Sequence, residues 1–315
     1  MVDPVLAILA PGQGAQTPGF LTPWLEVPGV AERLAWLSAV AGLDLVRYGT
    51  EGSAEEIRDT AVAQPLLVAT GLASLAALCP EGGAAAADVV AGHSVGELTA
   101  AAATGVLTAE QAMVLVRERG RAMAAASAVT PTGMTAVLGG DREQVLAALA
   151  RHGLTAANDN GPGQVVAAGT LAQLEALAAD APEKARLVPL SVAGAFHTHH
   201  MAPAVDALAR LAAAVTPRDP ATRLLSNADG AVVPSGKDVL DRLVAQVSSP
   251  VRWDLCQVAL ADLGVSGIVE LLPGGTLTGL AKRALRGVPS VALRTPDDLD
   301  AARALLAATD RGAAG

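Results

Sequence analysis

The pentapeptide Gly92-His93-Ser94-Val95-Gly96 has the G-x-S-x-G spacing of a nucleophile elbow. It follows an apolar run at 89–91 and precedes an Ala-rich stretch reaching Ala103, so a strand, a sharp turn and a helix are expected in that order. The glycines permit the turn that lifts a serine hydroxyl above the end of the strand. The Val95 N–H, at the start of the helix, then faces a developing oxyanion. A second loop, Pro11-Gly12-Gln13-Gly14-Ala15-Gln16, follows the first apolar run. It lacks the third glycine of a dinucleotide loop, because Thr17 stands there, and no Gly-Lys-Ser/Thr follows for a phosphate loop. It reads either as a source of backbone N–H groups for negative charge or as a tight turn.

The five histidines are His93, His152, His197, His199 and His200, none beyond residue 200. An ordinary α/β-hydrolase places its catalytic histidine late in the chain, after the acid. Here His197 is the candidate base, just before a helix suggested by Pro203 and the stripe Val205, Leu208, Leu211. His197, His199 and His200 have no convincing fourth ligand and no H-E-x-x-H helix, so no metal is expected. Arg119 stands alone in an apolar stripe formed by positions 112, 115, 116, 119, 122, 123 and 126 of a helix expected over 108–126. Thr108 and Gln111 make the capping box that opens it. A buried unpaired guanidinium costs several kcal/mol, on the order of 3–5, so Arg119 is expected to meet an anion, either a structural partner or a ligand.

The elements that must position these residues alternate between strand-like and helical. Apolar runs at 5–10, 89–92, 135–138, 164–168, 187–192 and 268–272 read as strands between Ala/Leu-rich helices, which implies an α/β fold with a mainly parallel sheet. Between 129 and 193 the order becomes strand, helix, strand, helix, strand, read as an inserted α+β subdomain. The 315 residues are 51% hydrophobic but only 2% aromatic, so the core is aliphatic. Residues 61–80 carry no charge over a bilayer's length. Gln64, Pro65, Thr70, Gly71 and Ser74 interrupt them without a polybasic flank, and a buried helix is expected rather than a span. The first ten residues hold Asp3 and no basic region, and read as a first strand rather than a signal peptide. A net charge of −9 with no basic block argues against nucleic acid. Cys79 and Cys256, far apart, suggest neither a disulfide framework nor zinc and fit a reducing cytoplasm.

Taken in order, these motifs resemble the malonyl-CoA:acyl carrier protein transacylases, relatives of polyketide acyltransferase domains. The markers are 10–16 (APGQGAQ), 92–97 (GHSVGE), Arg119-Gly120, 163–166 (GQVV), Gly194-Ala195-Phe196-His197, Ser226-Asn227, Gln246 and 250–253 (PVRW), nearly end to end. The resemblance implies an α/β-hydrolase-like catalytic domain, residues 1–128 and 194–315, with a ferredoxin-like insertion at 129–193. It implies Ser94 as nucleophile, His197 as base and then acid, and Gln246 orienting His197 through its carbonyl in place of the usual Asp. The N–H groups of Gln13 and Val95 would form the oxyanion hole, and Arg119 would bind the free carboxylate of malonate. His93, Asn158 and Asn160 match positions near the acyl or pantetheine path, where plain turn-formers would look the same. In polyketide relatives Phe before the catalytic histidine goes with malonyl and Ser with methylmalonyl, so Phe196 favours malonyl. The chain has Leu272-Pro273-Gly274-Gly275 where relatives often carry Gly-Pro-Gly, and a different loop is expected there.

The implied reaction is ping-pong transfer of malonyl from malonyl-CoA to the phosphopantetheine thiol of acyl carrier protein, without cofactor or metal, in a cytoplasmic monomer serving fatty acid or polyketide synthesis. Neither a membrane nor nucleic acid is an expected partner. The carrier protein is acidic, so a basic patch is expected near the cleft, to which Lys282, Arg283 and Arg286 are candidates. Two rivals share parts of the pattern: a serine esterase or thioesterase, and a non-catalytic carrier-protein docking subunit. Arg119 and the lack of a late histidine weigh against the first; the second leaves Ser94, His197 and Arg119 idle.

Overall fold

The computed structural model describes residues 5–80 and 83–307. Met1–Pro4, part of the stretch expected to open the first strand, lie outside the described residues. The chain begins β1 (Val5–Ala10), α1 (Val30–Ala41), α2 (Leu45–Glu51), α3 (Thr60–Leu78), β2 (Val89–Gly92), α4 (Gly96–Ala103) and α5 (Ala109–Ser127). It continues through β3 (Thr132–Gly139), α6 (Arg142–Arg151), β4 (Thr155–Asp159), β5 (Gln164–Thr170), α7 (Leu171–Ala179) and β6 (Ala185–Pro189). Last come α8 (Ala202–Ala212), β7 (Arg223–Leu224), α9 (Gly236–Ala245), β8 (Val251–Arg252), α10 (Trp253–Asp262), β9 (Val265–Glu270), α11 (Thr276–Ala284), β10 (Ser290–Ala292) and α12 (Asp298–Ala307).

Two five-stranded sheets organise the α/β fold. The first, in order β10-β9-β1-β2-β7, is wholly parallel. Its central strands β1 and β2 are buried on both faces, which is why they read as unbroken apolar runs rather than alternating ones. The second sheet runs β6-β3-β5-β4-β8, and its first four strands are antiparallel with α6 and α7 between them. That is the βαββαβ order of a ferredoxin-like unit. The strand β4 is an addition to the three strands expected between 129 and 193. Its Thr-Ala-Ala-Asn-Asp sequence lacks the β-branched run that marks a strand, and pairing with β5 supplies what propensity does not. The last expected strand there ends at Pro189, so Val192 lies in a loop instead. β8, from near the C-terminal third, pairs parallel to β4 and ties the second sheet to the rest of the chain. Arg142 at the start of α6 binds Asp159, and Asp254 beside β8 pairs with Arg252.

The uncharged segment 61–80 forms α3, buried over nearly all its length and packed against α5, α1 and α4. It is long and apolar enough to cross a membrane, but the core of the fold already surrounds it. The Asp59 side chain accepts from Ala61 N–H and starts it. α5 opens with the Thr108–Gln111 capping box. Its stripe Ala112, Leu115, Val116, Met123 and Ala126 is buried with Arg119 among it. Each large side chain so buried contributes about 1.5–3 kcal/mol, which holds the guanidinium in place beneath the sheet ends.

Candidate active site

The site forms where β1 and β2 end side by side. Their C-terminal loops carry Gln13 and Ser94. Ser94 sits at φ +52°, a strained conformation for a residue with a side chain. The flanking glycines are required by close approach: a Cβ on Gly92 would lie 2.1 Å from the carbonyl of Gly96, and one on Gly96 would lie 2.2 Å from the Ala10 oxygen. The elbow therefore closes on its own helix only without a side chain at 92, and fits against β1 only without one at 96.

His197 also has positive φ, +60°, and its loop is pinned on both sides: Ala195 N–H donates to Thr132 Oγ1 and Thr198 Oγ1 donates to the Ala195 oxygen. Its Nε2 lies 2.7 Å from Ser94 Oγ and its Nδ1 lies 2.8 Å from the Gln246 backbone oxygen. A carbonyl can only accept, so Nδ1 carries the proton and Nε2 is the free base facing the serine. Burial, followed by the nearby Arg119 cation, pushes the imidazole down to about 3. It is neutral at pH 7 and able to take the Ser94 proton.

Arg119, 2% exposed, reaches Gln64 Oε1 at 2.6 Å, Gln246 Oε1 at 2.9 Å and Ser94 Oγ at 3.4 Å. The anion expected for it is absent as a direct contact: among the described residues its partners are two amides and a hydroxyl. The nearest carboxylate, Glu97, lies one amide further, accepting from Gln246 Nε2. Burial lowers the guanidinium to about 10, with Glu97 pulling the other way, so it stays charged at neutral pH.

The backbone N–H groups of Gln13 and Val95 donate to no protein acceptor among the described residues. Both residues line a cavity of about 180 Å³ that also takes in Ser94, His197, Phe196 and Asn158. The ferredoxin-like unit forms one wall through Met134, Asn158 and Val166, and α11 another through Leu277 and Leu280. His93 and Asn160 reach this cavity too, but are bonded to each other, with Nε2 of His93 2.8 Å from Asn160 Oδ1 and its ring edge-on to Trp253. Asn158 belongs to β4 and not to a turn. The His199 and His200 rings lie against one another, tilted by 35° with centroids 4.1 Å apart, and neither lines this cavity. Among the described residues no group of three or more metal-ligating side chains occurs. Lys282, Arg283 and Arg286 are exposed at the end of α11, where Arg283 donates to Gln164 on the cavity rim.

Three residues of the site carried no expected role. Asn227 accepts the Ser94 N–H on Oδ1 at 2.8 Å and donates to the Gly92 oxygen at 2.7 Å, clamping the elbow. Glu97 accepts from the Asn227 N–H at 2.6 Å. Gln64 is one of the polar residues that break the apolar run of α3, and its burial is the signal that it has a partner.

Residues 10–308 match the acyl transferase domain model. The chain is 54% identical over 297 residues to the malonyl CoA-acyl carrier protein transacylase of Mycobacterium tuberculosis, covering 94% of this chain and 98% of that protein. It is 35% identical to the Escherichia coli protein of the same name over 303 residues, covering 94% and 98%. A crystal structure of MCAT from Mycobacterium tuberculosis superposes with a TM-score of 0.92 at 53% identity, covering 95% of this chain and 99% of that one. A second solved structure, described as a type II PKS acyl-carrier protein in complex with its malonyl-transacylase, gives 0.88 at 32% identity, covering 95% and 98%.

Proposed function

This chain belongs to the acyl transferase family, and from that premise we propose that it carries malonyl from malonyl-CoA to the phosphopantetheine thiol of an acyl carrier protein, through an ester on Ser94. The observation that carries this reading is a buried, charged Arg119 whose guanidinium stands 3.4 Å from the nucleophile's oxygen without a carboxylate of its own. A malonyl group attached at Ser94 brings a carboxylate to that place.

In the first half-reaction His197 Nε2 takes the Ser94 proton as Oγ bonds to the thioester carbonyl carbon. The oxygen that becomes negative is received by the Gln13 and Val95 N–H groups, a contribution typically worth about 10²–10³ in rate per donor. The C–S bond then breaks, and the imidazolium returns its proton to the departing CoA sulfur. In the second half-reaction the carrier thiol gives its proton to His197, attacks the ester, and Ser94 leaves reprotonated. Ser94 supplies the covalent chemistry, so neither a cofactor nor a metal is needed.

In this reading residues 1–128 and 194–315 are the catalytic domain, and the 129–193 insertion shapes the acyl pocket. Phe196 limits the acyl α-substituent, His93 and Asn160 brace the elbow beside the pantetheine path, and Asn158 lines it. The exposed cations of α11 meet the acidic carrier protein at the cleft. Free Cys79 and Cys256 fit work in the cytoplasm as a monomer, supplying malonyl units to fatty acid synthesis and to polyketide carrier proteins where these are present. An esterase would have no use for Arg119, and a docking subunit none for the Ser94–His197 pair.

The test is Arg119→Ala. Malonyl transfer is expected to fall by about 10² or more, the loss of a buried ionic contact worth 3–5 kcal/mol, while acetyl transfer falls far less. Equal losses on both substrates would overturn the carboxylate role.

A further inference from the structure

Glu97 is 6% exposed, on the first turn of α4, directly beneath the elbow. Oε1 accepts the Asn227 N–H and Oε2 accepts Gln246 Nε2. Because Nε2 of that amide must face the carboxylate, its Oε1 faces Arg119. The string Glu97–Gln246–Arg119 therefore has a fixed polarity: an acceptor at one end, a donor at the other, and one amide orientation that satisfies both.

This string holds one buried positive charge and one ionisable acid, with almost no water to screen them. A substrate carboxylate arriving at Arg119 adds a second acid to the same enclosed space. Where Glu97 is ionised, two negative charges opposite a single guanidinium leave the site with an uncompensated charge, which a low-dielectric interior strongly disfavours. The substrate's own carboxyl is ionised at neutral pH, so the proton that restores balance must be taken up by the protein.

We propose that Glu97 is a positioning residue for acid recognition that exchanges its charge for a proton when a malonyl carboxylate engages Arg119, so that malonyl binding is coupled to proton uptake. The inference rests on the reading of Arg119 as the carboxylate receptor.

The surroundings of Glu97 favour this role. Arg119 on α5 and Arg242 on α9 draw it toward ionisation, while Asp229 after β7 opposes it; the Cys256 thiol on α10, raised by burial and by Glu97 itself, stays neutral. The other elements packed on α4, namely β1, β2 and α3, carry no ionisable side chain. His197 and His93 complete the titratable groups of the site, and both are held neutral by burial. Burial outweighs every attraction on Glu97 and brings its carboxyl up to about 8, within reach of a proton at working pH. A space of about 10 Å³, close to the smallest that holds a water, lies beside it against Ser226 and Arg242, on the side of the exposed Arg242–Asp229 pair.

Calorimetric titration of the Ser94→Ala protein with malonyl-CoA and with acetyl-CoA, each in two buffers of different ionisation enthalpy, counts the protons. At pH 8 malonyl-CoA is expected to take up about half a proton more per site than acetyl-CoA, and at pH 6 almost none. Above pH 8 its affinity relative to acetyl-CoA falls by up to about tenfold per pH unit. Adding Glu97→Gln should abolish the malonyl-specific uptake; if that protein does not fold, adding His197→Gln instead should leave the uptake intact. Equal proton numbers for the two thioesters, uptake that persists in Glu97→Gln, or uptake lost in His197→Gln overturns the proposal. Arg119→Ala in the same titration separates the two levels. Loss of malonyl-CoA affinity alone with no uptake in the parent sinks the Glu97 role only, whereas equal affinity losses sink the reading beneath it.

Discussion

The His197 imidazole takes its orientation from a main-chain atom of Gln246: Nδ1 is 2.8 Å from the carbonyl oxygen, while the Gln246 side chain turns away onto Arg119 and Glu97. One residue thus holds His197 through its backbone and Arg119 through its side chain. Gln246→Ala keeps the carbonyl and removes the amide, leaving Arg119 short of an acceptor at a cost of about 1–3 kcal/mol. Malonyl transfer should fall about tenfold or more below acetyl transfer in kcat/KM, with the Ser94–His197 pair still competent. A uniform collapse on both substrates would mean that the side chain orients His197 after all.

Ser94→Ala should acquire no mass increase of one malonyl group when incubated with malonyl-CoA, whereas the parent protein should be acylated at that residue. Intact-mass spectrometry reads this directly. A stable adduct on the variant places the nucleophile elsewhere and makes the 2.7 Å contact with His197 incidental.

What could be read from sequence is what depends on neighbours in the chain. The Gly92–Gly96 elbow and the Thr108–Gln111 box are complete within a few residues, and both form as expected. Residues 61–80 showed their fate by composition alone, because a helix buried all round has no amphipathic period to find. β4 escaped because its pairing with β5 and β8 outweighs a weak strand sequence, and β7 and β8, two residues each, are too short to signal. The protein partners of Arg119 could not be read from the sequence either. Gln64 and Gln246 meet Arg119 from 55 and 127 residues away, and Glu97 meets Gln246 across 149, and no local spacing predicts such a meeting.

Two buried groups give stability opposite pH slopes. His197 is pushed down to about 3, so the unfolded chain binds more protons between pH 6.5 and 3, and the fold loses stability as pH falls through that range. Glu97 is raised to about 8, so the folded chain binds more protons between 4.5 and 8, and stability is lost as pH rises through that range. The two oppose each other between 4.5 and 6.5. Relative to the parent, His197→Gln should gain stability below pH 6.5 and Glu97→Gln should gain it from pH 4.5 up to 8, each with a slope of at most about 1.4 kcal/mol per pH unit. Urea melts at pH 4, 6 and 8 give the differences, and a pH-independent gap for either variant removes that group from the account.

Phe196, one of only two phenylalanines in the chain, lies buried next to His197 and lines the cavity at Ser94. A methyl on the malonyl α-carbon adds roughly the volume of one methylene, and a close-packed wall rejects such an addition at a cost of about 1–3 kcal/mol. Phe196→Ser removes the ring and opens that wall without touching Ser94, Arg119 or the Gln246 carbonyl. Transfer from methylmalonyl-CoA should rise about tenfold or more relative to malonyl-CoA, measured as a ratio of kcat/KM so that any general loss of packing cancels. If both thioesters change alike, the ring is core packing, and the limit on the α-substituent must come from Met123 or Met134 across the cavity.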